Sequence, residues 1–390
     1  MNNPSSRHKT ITLSNFPVGE PLPFSVYDRY GNLLLRKGFV LNSERQRDRL
    51  LEHGIFQKAP DSPVPSGTES EFSTASQSFT VFETVETLLS RLEHAYQLLH
   101  QASGRGFVFE MLRICVDVQA ICADNPDAVM GAMQVSQDLP YGLIHPLHCA
   151  VLCELIGKRL GLPQFQRLAL VAGAASHDVG ISQLQEQLHR QKEGLNEQQW
   201  QRVRRHPIES RSLLEKAGVD DEVWLDAVAQ HHERLDGSGY PNQLQAEQLS
   251  QTTRILAIAD IYTAMIRPRV YRDAFVSRDA LRSLFQERGS SVDPALVQLF
   301  IKEIGLFPPG AFVRLRNNEL AVIQKRGLET HLPVIFSVQA ADGSLMSPLR
   351  QRDPAKDSFN IVEMLPHHEH PTLSTQLNDL WPALKPISLH

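Results

Sequence analysis

The stretch Leu168-Ala-Leu-Val-Ala-Gly-Ala-Ala-Ser-His177-Asp178-Val-Gly180 decides how the chain is read. Nine small or apolar residues lead into a histidine beside an aspartate, two side chains that stay at a buried helix end only when they have partners. A second stretch answers it downstream: His231-His232-Glu233-Arg-Leu-Asp236-Gly237-Ser-Gly239-Tyr240-Pro241. Two adjacent histidines and a glutamate run straight into a glycine-rich turn. Neutral imidazole and carboxylate are the ligands of hydroxide-generating divalent ions.

Sixteen histidines are present, and seven fall between positions 145 and 232. The candidate metal ligands are His145, His177, Asp178, His206, His231, His232 and Asp260. Their spacings are too long for one helix, so separate helices of a bundle must converge on the site. Asp260 breaks the apolar run Ile255 to Ile261, where a carboxylate costs several kcal/mol unless it is paired or bound to metal. Neighbouring helix residues point about 100° apart, so His177 and Asp178, or His231 and His232, do not serve one ion equivalently. A paired site resolves this, with Asp178 bridging. Two ions roughly 3.5–4 Å apart make a water nucleophilic near neutral pH and clamp the oxygens of a phosphoryl group. Seven nitrogen and oxygen ligands without cysteine suit Mn or Fe better than a four-ligand structural zinc.

In the turn, Gly237 and Gly239 permit positive φ and close backbone approach, Pro241 stiffens the exit, and Tyr240 can stack on a base. Gly239, Tyr240 and Pro241 therefore read as substrate-binding, and Glu233 as a support that orients a ligand histidine. His148, Cys149 and Cys153 read as packing residues on the helix of His145. His367-His368-Glu369-His370 imitates the ligand motif in a polar tail without a glycine turn and reads as bland. Arg202, Arg204 and Arg205 read as a solvated helix face.

Outward from the site, residues 80–305 read as a helical domain, beginning with Phe82, Val85, Leu88, Leu89, Leu92, Tyr96 and Leu99 at helical spacing. Phe107 to Cys122 and Asp127 to Val135 continue it. Residues 1–58 read as a small β-rich module, with strands over Phe24 to Tyr27 and Leu33 to Leu35 and a helix from Asn42 or Ser43 to His53. Residues 59–79, rich in Pro, Ser and Thr, read as a linker. After Pro308-Pro309-Gly310 the period changes, and residues 306–390 read as a β meander and tail, with strands over Ala311 to Leu315, Leu320 to Gln324 and Pro333 to Val338. The fold class is mainly α: a helical bundle with β additions at both ends.

The chain has 390 residues, 42% hydrophobic and 21% charged, as in an ordinary soluble protein. A formal charge of -5 argues against a nucleic acid polymer as partner but leaves a small nucleotide open. Four cysteines without a CxxC fit buried thiols in a reducing, cytoplasmic setting. The first ten residues have no apolar run of a signal peptide, and no run of about 18 apolar residues exists to span a membrane.

His177-Asp178-Val179-Gly180, His206-Pro207, His231-His232-Glu233 with Asp236-Gly-Ser-Gly-Tyr-Pro241, and Asp260-Ile-Tyr262 leading to Arg269-Val-Tyr-Arg272 together resemble the HD-GYP subgroup of the HD-domain phosphohydrolases. The resemblance implies a metal-dependent phosphodiesterase that opens cyclic di-GMP to linear pGpG and can continue to GMP. It implies His145, His177, Asp178 and Asp260 around one ion, and Asp178 bridging to a second held by His206, His231 and His232. It implies Arg269 and Arg272 on phosphate, as a guanidinium fork suits. A protein partner would engage the N-terminal module or the helical surface. The chain departs from the family where a lysine is usual (Ile181), a second aspartate (Thr263), a glycine (Ser210) and the glutamate of a third ion (Tyr141). Ile181 motivates an alternative, a cyclic di-GMP receptor that scarcely cuts its ligand. Hydrolysis of another nucleotide is a further one.

Overall fold

The computed structural model describes residues 79–100, 105–136, 139–268, 274–327, 329, 331–367, 377 and 379–384, together with four short strands before residue 60. The chain divides into two units between Ser76 and Gln77. The first holds β1 (His8–Thr10), β2 (Val26–Tyr27), β3 (Leu33–Leu35) and β4 (Phe56–Lys58), an antiparallel sheet in the order β1-β4-β2-β3. Two of these strands overlap those expected from the sequence. The expected helix ending at His53 and nearly all of the expected linker lie outside the described residues.

The second unit opens with α1 (Val81–Leu99), α2 (Arg105–Asp124) and α3 (Pro126–Val135). Thr80 caps α1 reciprocally: its hydroxyl accepts from the Glu83 N–H, and the Glu83 carboxylate accepts from the Thr80 N–H. The helix buries Val81, Val85, Leu88, Leu92 and Leu99, one face at the 3.6-residue period. Then come α4 (Tyr141–Arg159), α5 (Gln164–Ser176), α6 (Ser182–Arg190), α7 (Glu197–Lys216), α8 (Glu222–Gln230), α9 (Gln251–Ile266), α10 (Ser277–Glu287) and α11 (Pro294–Ile304).

Helix α4 is buried on every side from Ile144 to Gly157, so it is the axis around which α1, α2, α5, α9 and α11 pack. The small residues of the opening stretch have a task here. A Cβ on Gly173 would stand 3.2 Å from the Ala227 Cβ and 3.4 Å from the Trp224 carbonyl, so α5 and α8 lie close together. The approach is pinned by the Trp224 indole N–H donating to Ser176 Oγ at 2.8 Å, and by Ser176 donating in turn to the Ala172 carbonyl. Tyr96 of α1 donates its hydroxyl to the Ala175 carbonyl at 2.7 Å. Three helices thereby converge just before His177. No helix among the described residues is long and apolar enough to cross a membrane.

The C-terminal region is larger than the sequence suggested. It is a five-stranded antiparallel sheet in the order β8-β7-β6-β5-β9, comprising β5 (Phe312–Leu315), β6 (Leu320–Lys325), β7 (Val334–Gln339), β8 (Leu345–Arg352) and β9 (Ile361–Leu365). Phe312, Leu320, Val322 and Val338 join the helical core, while Val313, Leu315, Ile323 and Ile335 form a second apolar layer. Strand β8 escaped prediction because it is an edge, largely exposed and without apolar alternation. The tail also corrects expectation. Leu377, Leu380, Trp381 and Leu384 enter the main core, and Phe79 bridges Leu384. The Trp381 ring lies where a Cβ on Gly131 would collide with it, and its indole N–H donates to the Gln324 carbonyl at 2.8 Å. His367 is buried with its ring 4.9 Å from that of Phe312, and the three residues after it lie outside the described residues.

If the tail is core, Trp381→Ala costs about 3–5 kcal/mol, the range for emptying a buried aromatic site. Urea unfolding of the full chain measures this, and a loss below about 1 kcal/mol would mean the tail is only draped on the surface.

Candidate metal centre

The seven expected ligands come from five places in the helical unit. His145 is on α4, His177 and Asp178 follow the end of α5, His206 is inside α7, His231 and His232 follow the end of α8, and Asp260 is on α9. All seven are brought together. Local backbone chemistry sets the direction of three imidazoles. His177 and His231 occupy the C-cap positions of their helices, where the last carbonyls lack helical partners. Each turns its Nδ1 back to the carbonyl three residues before, Ala174 at 2.7 Å and Val228 at 2.7 Å. His206 reaches the same geometry inside a helix. Pro207 has no N–H, so the Val203 carbonyl it would have bonded is released, and His206 Nδ1 donates to it at 2.6 Å. The His-Pro pair is therefore a device for aiming an imidazole.

With Nδ1 as the donor, the lone pair of each neutral ring sits on Nε2, and these atoms point inward. His206 Nε2 and His231 Nε2 are 3.1 Å apart. His177 Nε2 is buried and has no hydrogen-bond partner. Two lone pairs facing each other in a dry pocket repel unless a cation lies between them. The carboxylates complete the pattern. Asp178 Oδ1 is 3.2 Å from His206 Nε2 and 4.0 Å from His231 Nε2, while Asp178 Oδ2 is 3.4 Å from His177 Nε2 and 4.0 Å from His145 Nε2. One carboxylate thus shares its oxygens between two clusters. Asp260 does likewise, with Oδ1 at 3.1 Å from His145 Nε2 and Oδ2 at 3.5 Å from His232 Nδ1. The donor set fits divalent ions.

Electrostatics agree with the geometry. Burial, then the neighbouring imidazoles His232, His177 and His206, holds His231 well below the usual histidine range. Burial lowers His145, and lowers His232 to about 3 although Asp260 pulls the other way. Burial alone would raise Asp178 and Asp260. Asp178 is instead held well below the carboxylate range by its imidazole neighbours His177, His206 and His145, and Asp260 by His145 and His232. Neutral imidazoles and ionised carboxylates are the metal-ready forms.

Two glycines close the site. A Cβ on Gly180 would meet the Ser210 backbone nitrogen at 2.7 Å and the His206 carbonyl at 2.9 Å, so only glycine lets α7 come near enough for His206 to reach Asp178. The Gly180 N–H donates to Ser210 Oγ at 2.9 Å, which ties the turn after Asp178 to α7. Gly239 is crowded by the backbones of His232, Glu233 and Arg234, and Gly237 has φ 75°. Glu233 does something other than expected. Its buried carboxylate accepts from the Asn242 N–H at 2.6 Å and the Leu244 N–H at 3.0 Å, so it fastens the glycine turn and not a histidine ring. This places the Tyr240 ring 4.6 Å from that of His232. Tyr141 stacks on His145 with ring centres 5.0 Å apart. Arg269 and Arg272 lie outside the described residues.

Two neighbours of the site were missed in the sequence. Gln185 of α6 donates to Asp178 Oδ2 at 2.6 Å, and its place on the stripe of Ile181, Leu184 and Leu188 was the available signal. Cys149 is 4.0 Å from His145 Nε2 and 3.1 Å from Thr263 Oγ1, where a purely packing role was expected. Its spacing of four from His145 on one helix was the available signal.

Residues 118–296 match the family described as HD domain. This stretch is therefore an HD domain, and its motif set is similar to that of the HD-GYP group. Among similar proteins, the cyclic di-GMP phosphodiesterase PA4108 of Pseudomonas aeruginosa is 29% identical over 229 residues, covering 57% of this chain and 55% of that protein. The cyclic di-GMP phosphodiesterase PdeB of Borreliella burgdorferi is 27% identical over 183 residues, covering 47% and 48%. The 3'3'-cGAMP-specific phosphodiesterase 1 of Vibrio cholerae is 31% identical over 160 residues, covering 41% and 37%. The chain spans about half or less of the length of these relatives.

A pH dependence follows. Because the folded values of His145, His231 and His232 are depressed, the unfolded chain binds more protons between those values and about 6.5. Ion-free protein thus loses stability as pH falls below about 6.5, by about 1.4 kcal/mol per unit for each ring kept neutral. The contribution of Asp178 and Asp260 is complete above about pH 4 and is lost only below it. Urea midpoints of chelator-treated protein at pH 7, 6 and 5 should fall stepwise, and equal midpoints would contradict neutral, buried rings.

Proposed function

We propose that the chain is a metal-dependent phosphodiesterase that opens cyclic di-GMP to linear pGpG, with GMP as the product of a second cut. The single observation that carries this reading is the sharing of Asp178 between two imidazole clusters, which suits two divalent ions, iron or manganese. When bound, such ions supply the Lewis acidity that makes water nucleophilic near neutral pH and offsets phosphate charge. The names of the relatives supply the substrate class. The four free, buried cysteines fit a reducing, cytoplasmic setting.

The chain's own residues then take the following roles. His145, His177, Asp178 and Asp260 would hold one ion, and His206, His231 and His232 would hold the other, with Asp178 within reach of both. Asp178, acceptor-only and ionised, orients the attacking water toward phosphorus. Tyr240, half-buried on the His232 ring, offers its face to a guanine base, and Gly239 and Pro241 shape the turn that carries it. Arg269 and Arg272 follow α9 in the chain and contact phosphate. Ile181 is buried at 5% exposure and offers no ammonium to the leaving oxygen, which lowers the turnover expected of this site. That feature also favours a second reading, a receptor that binds the dinucleotide and cuts it rarely.

Full-length protein loaded with iron or manganese, metal content measured, should convert cyclic di-GMP to pGpG, and chelation should abolish this. Asp178→Asn should lower kcat by about 100-fold or more with little change in fold. No product from metal-replete protein would reject the hydrolase reading. Faster turnover of 3'3'-cGAMP in the same assay would move the substrate to the mixed dinucleotide. Tight binding with negligible turnover, relieved by Ile181→Lys, would support the receptor.

A further inference from the structure

Cys149 belongs to no motif of the paired site, yet its sulfur stands in the same pocket as one cluster. Ligand atoms of His145, Cys149, His177 and Asp260 all lie within 4.8 Å of one another, and all four residues are buried. Around His145 Nε2 the neighbours are Asp260 Oδ1 at 3.1 Å, Cys149 Sγ at 4.0 Å and Asp178 Oδ2 at 4.0 Å. His177 Nε2, the fourth donor, is buried without a hydrogen-bond partner, 3.4 Å from Asp178 Oδ2. These donor separations, from 3.1 Å up to 4.8 Å, bracket the roughly 3.3–3.8 Å expected between ligands with bonds of about 2.0–2.3 Å, so small side-chain shifts would gather them around one ion beside the shared Asp178.

The other contact of the sulfur is suited to this. Thr263 Oγ1, 3.1 Å from Sγ, is also within reach of the Ala259 carbonyl at 2.8 Å and the Asp260 carbonyl at 3.1 Å. Without an ion, the thiol can donate to the hydroxyl oxygen while Thr263 donates to Ala259. With the sulfur ionised, the hydroxyl can turn and donate to it. A threonine at 263 therefore serves either state of a cysteine at 149, where a second aspartate would repel a thiolate.

We infer that Cys149 is a thiolate ligand of the ion held by His145, His177 and Asp260, so that this half of the centre is a mixed nitrogen, oxygen and sulfur site. On coordination the S–H bond breaks, the Cys149–metal bond forms, and the proton leaves to solvent. The inference rests on the metal centre of the proposed function and narrows it. A soft sulfur donor biases this position toward Zn, Co or Fe and against Mn.

The test is cobalt substitution of the full chain with metal content measured. Cobalt-loaded wild type shows a near-ultraviolet sulfur-to-cobalt charge-transfer band. Cys149→Ser and Cys149→Ala lose it, Cys153→Ala keeps it, and Cys149→Ser weakens zinc binding roughly tenfold or more while manganese binding changes far less. A fully loaded wild type without the band, or a band that survives Cys149→Ser, overturns the assignment and leaves the paired site standing. Failure of wild type to take up any cobalt overturns both. Circular dichroism of each variant separates ligand loss from misfolding.

Discussion

The structure depends on one electrostatic demand: acceptor atoms of like polarity converge in a space with almost no water. His206 Nε2 and His231 Nε2 face each other at 3.1 Å, with the ionised oxygens of Asp178 and Asp260 close by. In a low-dielectric pocket this is unfavourable unless positive charge is present. The fold holds the arrangement by force of packing, which is why the surroundings are rigid helices and why the histidine protons are committed to backbone carbonyls. Such strain at a functional site is expected where binding has to be strong and geometry fixed.

Each support solves a local problem with a simple residue choice. Proline at 207 removes a donor and so frees a carbonyl for His206. Helix ends at 176 and 230 supply the carbonyls that aim His177 and His231. Glycine at 180 lets a second helix arrive within reach of Asp178, and the run of alanine and glycine before His177 lets α5 lie against α8. The glycine turn is held by Glu233, whose carboxylate collects two backbone N–H groups. The same carboxylate would be costly if it were unbonded.

Much of this was legible in the chain. The apolar period of α1, the alanine-rich run and the burial cost of Asp260 each point to a helical body with a polar interior, and adjacent pairs such as His177-Asp178 point to two clusters. Less legible were features whose signal is weak over short windows. Strand β8 is an edge with few apolar residues, the core residues of the tail are scattered among polar ones, and Gln185 is a polar residue inside the short apolar stripe of Ile181, Leu184 and Leu188. The expectation that Glu233 serves a histidine failed because the turn's own N–H groups are nearer partners.

By itself the sequence determined which residue types are available and on which helices they ride, since helical period and capping are local properties. It also determined that Asp178 and Asp260 need partners, because burial of a carboxylate is costly anywhere. Only the tertiary structure decided which atoms face which. Separations such as that between Cys149 and Thr263, 114 residues apart, are set by how helices pack and not by anything carried in either neighbourhood. Whether a buried cysteine is inert or a ligand is for that reason a question of three-dimensional proximity.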